Sequence, residues 1–190
     1  MSKLILPIGI SGSGKSYIYN KDYKDCVQVS PDLIREELTG DISNQSKNKE
    51  VFKLAFERVD EYLNKGQNVF FDATNVNKGQ RKNFTDKYID TDVEVIYVIL
   101  PANIDLSWKR IRKDIRDNKN RSDVPYFALV RQKEQYDKSL ELGFDDENVQ
   151  EVIYVEWLYM KDFSHIQNYM IMQDLYQSKI KKFKSDAWSK

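Results

Sequence analysis

The run Gly9-Ile10-Ser11-Gly12-Ser13-Gly14-Lys15-Ser16 fits the pattern GxxxxGK[ST] in full, and it follows directly on the apolar segment Lys3–Ile8. No other feature of the sequence constrains the fold as much. Its glycines let backbone N–H groups converge on an anion without side chains in the way, and that works only where a strand delivers the loop and a helix leaves it. Lys3–Ile8 therefore reads as a buried strand, with a helix opening at Lys15 or Ser16. Pro7 has no N–H for a ladder, so it is expected at the strand's end, where the chain peels into the loop.

Further strands are expected at Val27–Ser30, Asn68–Asp72, Val93–Leu100 and Val152–Val155. Between them lie segments of helical period. Pro31 suits the first turn of a helix over Asp32–Leu38 with Ser30 as N-cap. Phe52, Ala55, Phe56, Val59, Tyr62 and Leu63 fall on one stripe of a helix over 46–65, so its aromatic residues read as core. Helices are also expected over 78–88, over 104–118, from Pro125 to about Leu140, and over 163–183. Strands alternating with helices imply an α/β chain with a parallel sheet covered on both faces. The expected organisation is a P-loop NTPase-type domain over 1–160, a lid at about 117–125 and a C-terminal helical appendage over 161–190.

Composition removes other classes. With one cysteine (Cys26) and one histidine (His165), the chain has no internal disulfide and no structural zinc site of the usual kind. Cys26 reads as a small buried residue and His165 as a surface or capping residue. No apolar run reaches the length of a membrane span, and the first residues lack a secretory leader's features, so a cytoplasmic protein is expected. Net charge is zero, but Lys109, Arg110, Arg112, Lys113, Arg116, Lys119 and Arg121 crowd a short segment that could face an anion.

The chemistry-bearing residues fall just after strands, where a parallel sheet faces its ligand crevice. Gly12, Ser13, Gly14, Lys15, Ser16 and Tyr17 are the candidate nucleotide-binding run, with Lys15 aimed at the β- and γ-phosphates and Ser16 at Mg²⁺. The loop alone does not separate a kinase from a GTPase or an ATPase motor. Asp32 follows the second strand and could accept a proton from an attacking hydroxyl. Arg35 lies one helical turn on and could pair with an acceptor phosphate. Asp72 closes the third strand as a candidate metal-side carboxylate. Thr74 and Asn75 would cap the next helix or touch substrate. Arg81 reads as pairing within that helix. Arg112, Arg116 and Arg121 are candidate lid arginines, delivering positive charge as a reaction closes.

GISGSGKS at 9–16, VSPDLIREEL at 29–38, GDISNQSKN at 40–48, FDATNV at 71–76 and NRSDV at 120–124 together resemble the P-loop 5′-hydroxyl polynucleotide kinases of bacteriophages and of bacterial RNA-repair proteins. The resemblance covers residues 3 to about 140. It implies transfer of the γ-phosphoryl group of ATP, with Mg²⁺, to a 5′-hydroxyl end of RNA or DNA. It implies Asp32 as general base, Arg35 as acceptor-side phosphate ligand, and Arg121, with Arg116 beside it, reaching ATP phosphates. Ala73 departs from the phage pattern, in which the carboxylate directly precedes Thr-Asn. Whether Asp72 supports Arg35 or the metal therefore stays open. A small-molecule kinase of the same fold (nucleoside, modified base or aminoacyl acceptor) is the alternative. A nucleotide-dependent interaction module is a further one, and self-association through the C-terminal helix is an additional expectation.

Overall fold

The computed structural model describes residues 1–155. Five parallel strands form one sheet in the order β2-β3-β1-β4-β5. They are β1 (Ser2–Ile8), β2 (Val27–Val29), β3 (Val69–Phe71), β4 (Val93–Ile99) and β5 (Glu151–Tyr154). The helices between them are α1 (Lys15–Asp22), α2 (Pro31–Thr39), α3 (Asn48–Asn64), α4 (Lys78–Thr85), α5 (Ile104–Arg116) and α6 (Tyr126–Leu142). Each expected strand and helix in this range is present, with ends shifted by a few residues. The expected helix over 163–183, His165 and the appendage over 161–190 lie outside the described residues.

Strand alternation explains the two layers. Leu4, Leu6 and Ile8 point to one face with Val69, Phe71, Val95, Tyr97 and Ile99, where α2, α3 and α4 contribute Ile34, Val51, Ala55, Val59, Leu63 and Phe84. Ile5, Phe70, Ile96 and Val98 point to the other, under Ile18 of α1. A strand buried on both faces must read as a continuous apolar run, and β1 does from Leu4 and β4 from Val95. Cys26 is half-buried against this second cluster, and burial raises its thiol above the ordinary range, away from nucleophile chemistry.

Three local expectations need correcting. Pro7 lies inside β1, paired with Val98 of β4, rather than at the strand's end. Its carbonyl faces the β3 side, where it accepts from Asn75 Nδ2 at 2.9 Å. The β1–β3 ladder runs only over Leu4 and Ile5, so the missing proline N–H deprives no strand of a partner. On α3, Val51 takes the core position and Phe52 is 37% exposed, stacked loosely on Phe56. Arg81 does donate to the Asn75 carbonyl just ahead of α4, at 2.6 Å, but its ion pair is not local. It forms a fully shielded ion pair with Glu147, 2.7 Å away and 66 residues later.

Candidate functional site

Between β1 and α1 the chain makes a loop whose shape only glycine allows at two points. Gly12 has φ +78°, and a Cβ there would lie 2.8 Å from the Ser107 carbonyl oxygen of α5. Gly14, the residue before α1, has φ +109°. Helix α1 then opens with backbone N–H groups that have no partner within the helix, beside the positive end of its dipole. Lys15 folds back over the loop, and its Nζ donates to the Gly9 and Ile10 carbonyls at 3.1 and 2.9 Å. Ser13 Oγ is buried with no hydrogen-bond partner in the protein. A glycine cradle, an unpaired buried hydroxyl and a lysine satisfied only by carbonyls fit a polyphosphate. Ser16 and Tyr17 are exposed on the first turn of α1.

The neighbouring strand ends bring carboxylates to the same place. Burial lowers the Lys15 ammonium from its ordinary value, Asp72 and Asp32 pull it back up, and Arg121 pushes it down. Asp72 after β3, Asp32 on the first turn of α2 and Arg121 of the α5–α6 connection thus all act on the Lys15 charge. Burial raises the Asp72 carboxyl, while Lys15 and a hydrogen bond from Gln28 Nε2 at 2.8 Å oppose the shift and Asp32 adds to it. Gln28 was not singled out from the sequence. The signal was there, as a polar residue in the middle of the strand Val27–Val29.

Asp32 stands half-exposed on the first turn of α2, ion-paired with Arg35. Ser30 is the N-cap of α2 by position, without a side-chain cap bond. The Arg35 side chain is 5% exposed and also donates to the Ile42 carbonyl and to Asn48 Oδ1 at 3.1 Å. Its Nε is buried without a partner. Asp72 is not among the Arg35 hydrogen-bond partners; Asp32, Asn48 and the Ile42 carbonyl fill that role.

Asn75 is neither the cap of α4 nor aimed at open space. It has φ +50°, and its amide donates to the Pro7, Phe71 and Ala73 carbonyls. The cap is Asn77, which accepts from the Gln80 N–H at 2.9 Å. The Thr74 carbonyl accepts from the Gly9 N–H at 3.0 Å, which ties the Asp72 loop to the glycine loop.

Residues 117–125 connect α5 to α6. Arg121 donates to Asp114 at 2.7 Å, and Arg112 stacks on Trp108 and pairs with Asp123. Arg116 is exposed at the end of α5, outside the group acting on Lys15. The connection also reaches the α2 side, through Asn120 to Glu36 at 2.9 Å and the Asp123 N–H to Ser43 Oγ at 3.1 Å. It therefore spans from the glycine-loop side to the Asp32 side. Two residues of this side had no role of their own in the sequence reading: Arg110, named there only within the basic run, which donates to the Gly12 and Ser13 carbonyls, and Gln132, which accepts from the Ser11 N–H.

Among the described residues no three His, Cys, Asp or Glu side chains gather as an all-protein metal cage. Mg²⁺ needs none, since it is commonly held by one or two protein oxygens and substrate phosphates. Ser16 and Asp72 are suitable oxygen donors for it. No helix of the described residues is long and apolar enough to cross a membrane.

Residues 4–139 match the family described as an AAA domain. No curated protein sequence matches significantly. Among solved structures, a chain of the Pnkp1/Rnl/Hen1 RNA repair complex superposes with a TM-score of 0.66 at 23% identity, over 77% of this chain and 47% of that one. The present chain thus spans about half the length of that relative. A Chloroflexus aurantiacus protein classed as a kinase superposes with a TM-score of 0.60 at 12% identity, over 90% and 97% of the two chains. A chain of the PezAT toxin–antitoxin system of Streptococcus pneumoniae gives 0.56 at 16% identity, over 94% and 86%. The shared architecture is the P-loop kinase fold.

Proposed function

The chain belongs to the AAA domain family that its residues 4–139 match, and on that premise we propose that it is an ATP-dependent kinase whose acceptor is the 5′-hydroxyl end of a nucleic acid. The observation that carries this reading is that Lys15 folds back over the glycine loop, to which the Gly9–Thr74 bond ties the Asp72 loop, with Asp72, Asp32 and Arg121 all acting on the Lys15 charge. A protein that merely senses a nucleotide has no need of a half-exposed carboxylate held by a buried arginine beside its phosphate loop. The acceptor class rests on the resemblance of residues 29–38 and 71–76 to polynucleotide kinases, and on the fold shared with a component of an RNA repair complex.

In this mechanism the glycine loop and the start of α1 hold the triphosphate of ATP, and Lys15 leaves its two carbonyls for the β- and γ-phosphates. Arg35 fixes the Asp32 carboxylate, which takes the proton of the acceptor hydroxyl. That oxygen bonds to the γ-phosphorus as the bond from phosphorus to the β–γ bridging oxygen breaks, and ADP leaves with the electron pair. Arg121 exchanges Asp114 for the phosphoryl group and offsets its charge. Mg²⁺, when bound, neutralises charge on the β- and γ-phosphates, and Ser16 and Asp72 are the residues that would hold it. Arg35 is also the residue that would pair with an acceptor-side phosphate.

The test is transfer of label from γ-labelled ATP to 5′-OH RNA and DNA oligonucleotides, with free nucleosides in competition. Asp32→Asn should lower kcat about 10²–10⁴-fold with little change in ATP affinity. Full activity in that variant removes Asp32 from the mechanism. Labelling of nucleosides in preference to oligonucleotide ends moves the acceptor to a small molecule.

A further inference from the structure

The outer face of the glycine loop is gripped by two side chains that the mechanism above does not use. Arg110 Nη1, from α5, donates to the Gly12 carbonyl at 3.2 Å and to the Ser13 carbonyl at 3.4 Å. Gln132 Oε1, from α6, accepts from the Ser11 N–H at 2.8 Å. Helix α5 is also pressed against the loop, since any Cβ on Gly12 would meet the Ser107 backbone. The three hydrogen bonds bridge 97 residues or more of sequence, so only the tertiary fold brings them to the loop.

Peptide geometry gives the grip a direction. In a trans peptide the C=O and the following N–H point opposite ways. The Gly12 carbonyl belongs to the peptide that carries the Ser13 N–H, which closes a turn to the Ile10 carbonyl at 3.1 Å. The Ser13 carbonyl belongs to the peptide that carries the Gly14 N–H. With that carbonyl held outward, the Gly14 N–H is turned inward, next to the free N–H groups at the start of α1. A loop of converging N–H dipoles is self-repelling without an anion, and with glycines at positive φ its peptide planes rotate easily. A carbonyl rotated inward would face a phosphate with negative charge.

We infer that Arg110 and Gln132 are positioning residues that keep the glycine loop in its anion-binding form before any nucleotide arrives. Arg110 turns two carbonyls away from the nest and sets the Gly14 N–H toward it. Gln132 holds the Ser11 N–H outward and so fixes the opposite Ile10 carbonyl on Lys15 Nζ and the Ser13 N–H. Neither needs to touch the ligand. The benefit is preorganisation, which removes a rearrangement from the binding step. The inference rests on the nucleotide-binding reading of this loop, but not on the identity of the acceptor.

Calorimetric titration decides it, with ATP and with inorganic tripolyphosphate as probes at one fixed Mg²⁺ concentration. Arg110→Met keeps the aliphatic stem and removes the donors. It should weaken both ligands by the same factor, about tenfold, the scale of one hydrogen bond from a charged donor. Gln132→Ala tests the second contact independently and should act in the same direction for both probes, even where Arg110→Met proves unstable. Loss of ATP binding with tripolyphosphate binding intact overturns the inference, because Arg110 would then serve the nucleoside. Unchanged affinities in both variants overturn it as well. Failure of the wild-type protein to bind either probe, unlike those two outcomes, removes the nucleotide-binding reading and the inference with it.

Discussion

Asp72 shows how burial acts against the charge of a single side chain. Burial is the largest influence on its carboxyl and raises it, and the Lys15 ammonium and the Gln28 amide do not fully undo the shift. A carboxyl raised by folding makes the ionised form a burden on the fold. That burden is absent below the unfolded value, near 4, and complete once pH passes the folded value. Asp72→Asn, neutral and nearly isosteric, should therefore raise the unfolding temperature of the ligand-free protein at pH 7. The gain should fade as pH is lowered through about 4. The same variant should need more Mg²⁺ for ATP binding. Scanning calorimetry at both pH values, with a Mg²⁺ titration beside it, checks the pair of outcomes. A variant less stable than wild type at pH 7 would show that pairing with Lys15 outweighs burial.

Among the elements, the α5–α6 connection is held to α5 by a carboxylate whose charge depends on pH. Asp114 receives Lys119 at 2.8 Å and Arg121 at 2.7 Å. Burial pushes its carboxyl up, but the bonds from Lys119 and Arg121 outweigh it, and the net direction is down. A carboxylate lowered by folding stabilises the folded form above the ordinary value, near 4, and this is lost as pH falls through the folded value. Asp114→Asn should then lower amide-exchange protection across residues 117–125 at pH 7. The difference from wild type should shrink at pH values under about 4, where the native carboxylate is protonated too. An unchanged exchange pattern at pH 7 would mean that Asn120–Glu36 and Asp123–Ser43 alone hold the segment. These groups sit partly in water, so the expected effect is a local loosening rather than global unfolding.

At the scale of the whole molecule, Arg81 ties together elements that no local rule would join. Its guanidinium donates to Glu147, to Ser139 Oγ of α6 and to the Asn75 carbonyl, and lies 5.2 Å from the Tyr97 and Phe144 rings. Tyr97 of β4 donates to the same Glu147 carboxylate at 2.8 Å. Asn75 in turn pins the Pro7 carbonyl, so the network reaches the strand that carries the glycine loop. Arg81→Met leaves Glu147 buried without its cation and should destabilise by about 3–5 kcal/mol in denaturant titrations. Pairing it with Glu147→Leu should recover much of that loss, because two apolar residues replace two charges. A single variant that unfolds like wild type would reduce the network to ordinary packing.

What the sequence determined follows from short-range physics. Apolar runs interrupted by helical periods fix an α/β chain, and the glycine pattern between β1 and α1 fixes an anion nest, because both depend on neighbours a few residues apart. Asp32 and Asp72 were legible because residues after parallel strands must meet at one edge of the sheet. Arg81–Glu147, Arg110 on the loop carbonyls, Gln132 on Ser11 and Gln28 on Asp72 were not, since each pairs across a distance in sequence that no periodicity encodes. The cap expected at Asn75 and the core position expected of Phe52 went to Asn77 and Val51. The sheet's strand order and the docking of α5 decide which polar atoms are within reach, and hydrogen bonding of buried groups then leaves little choice.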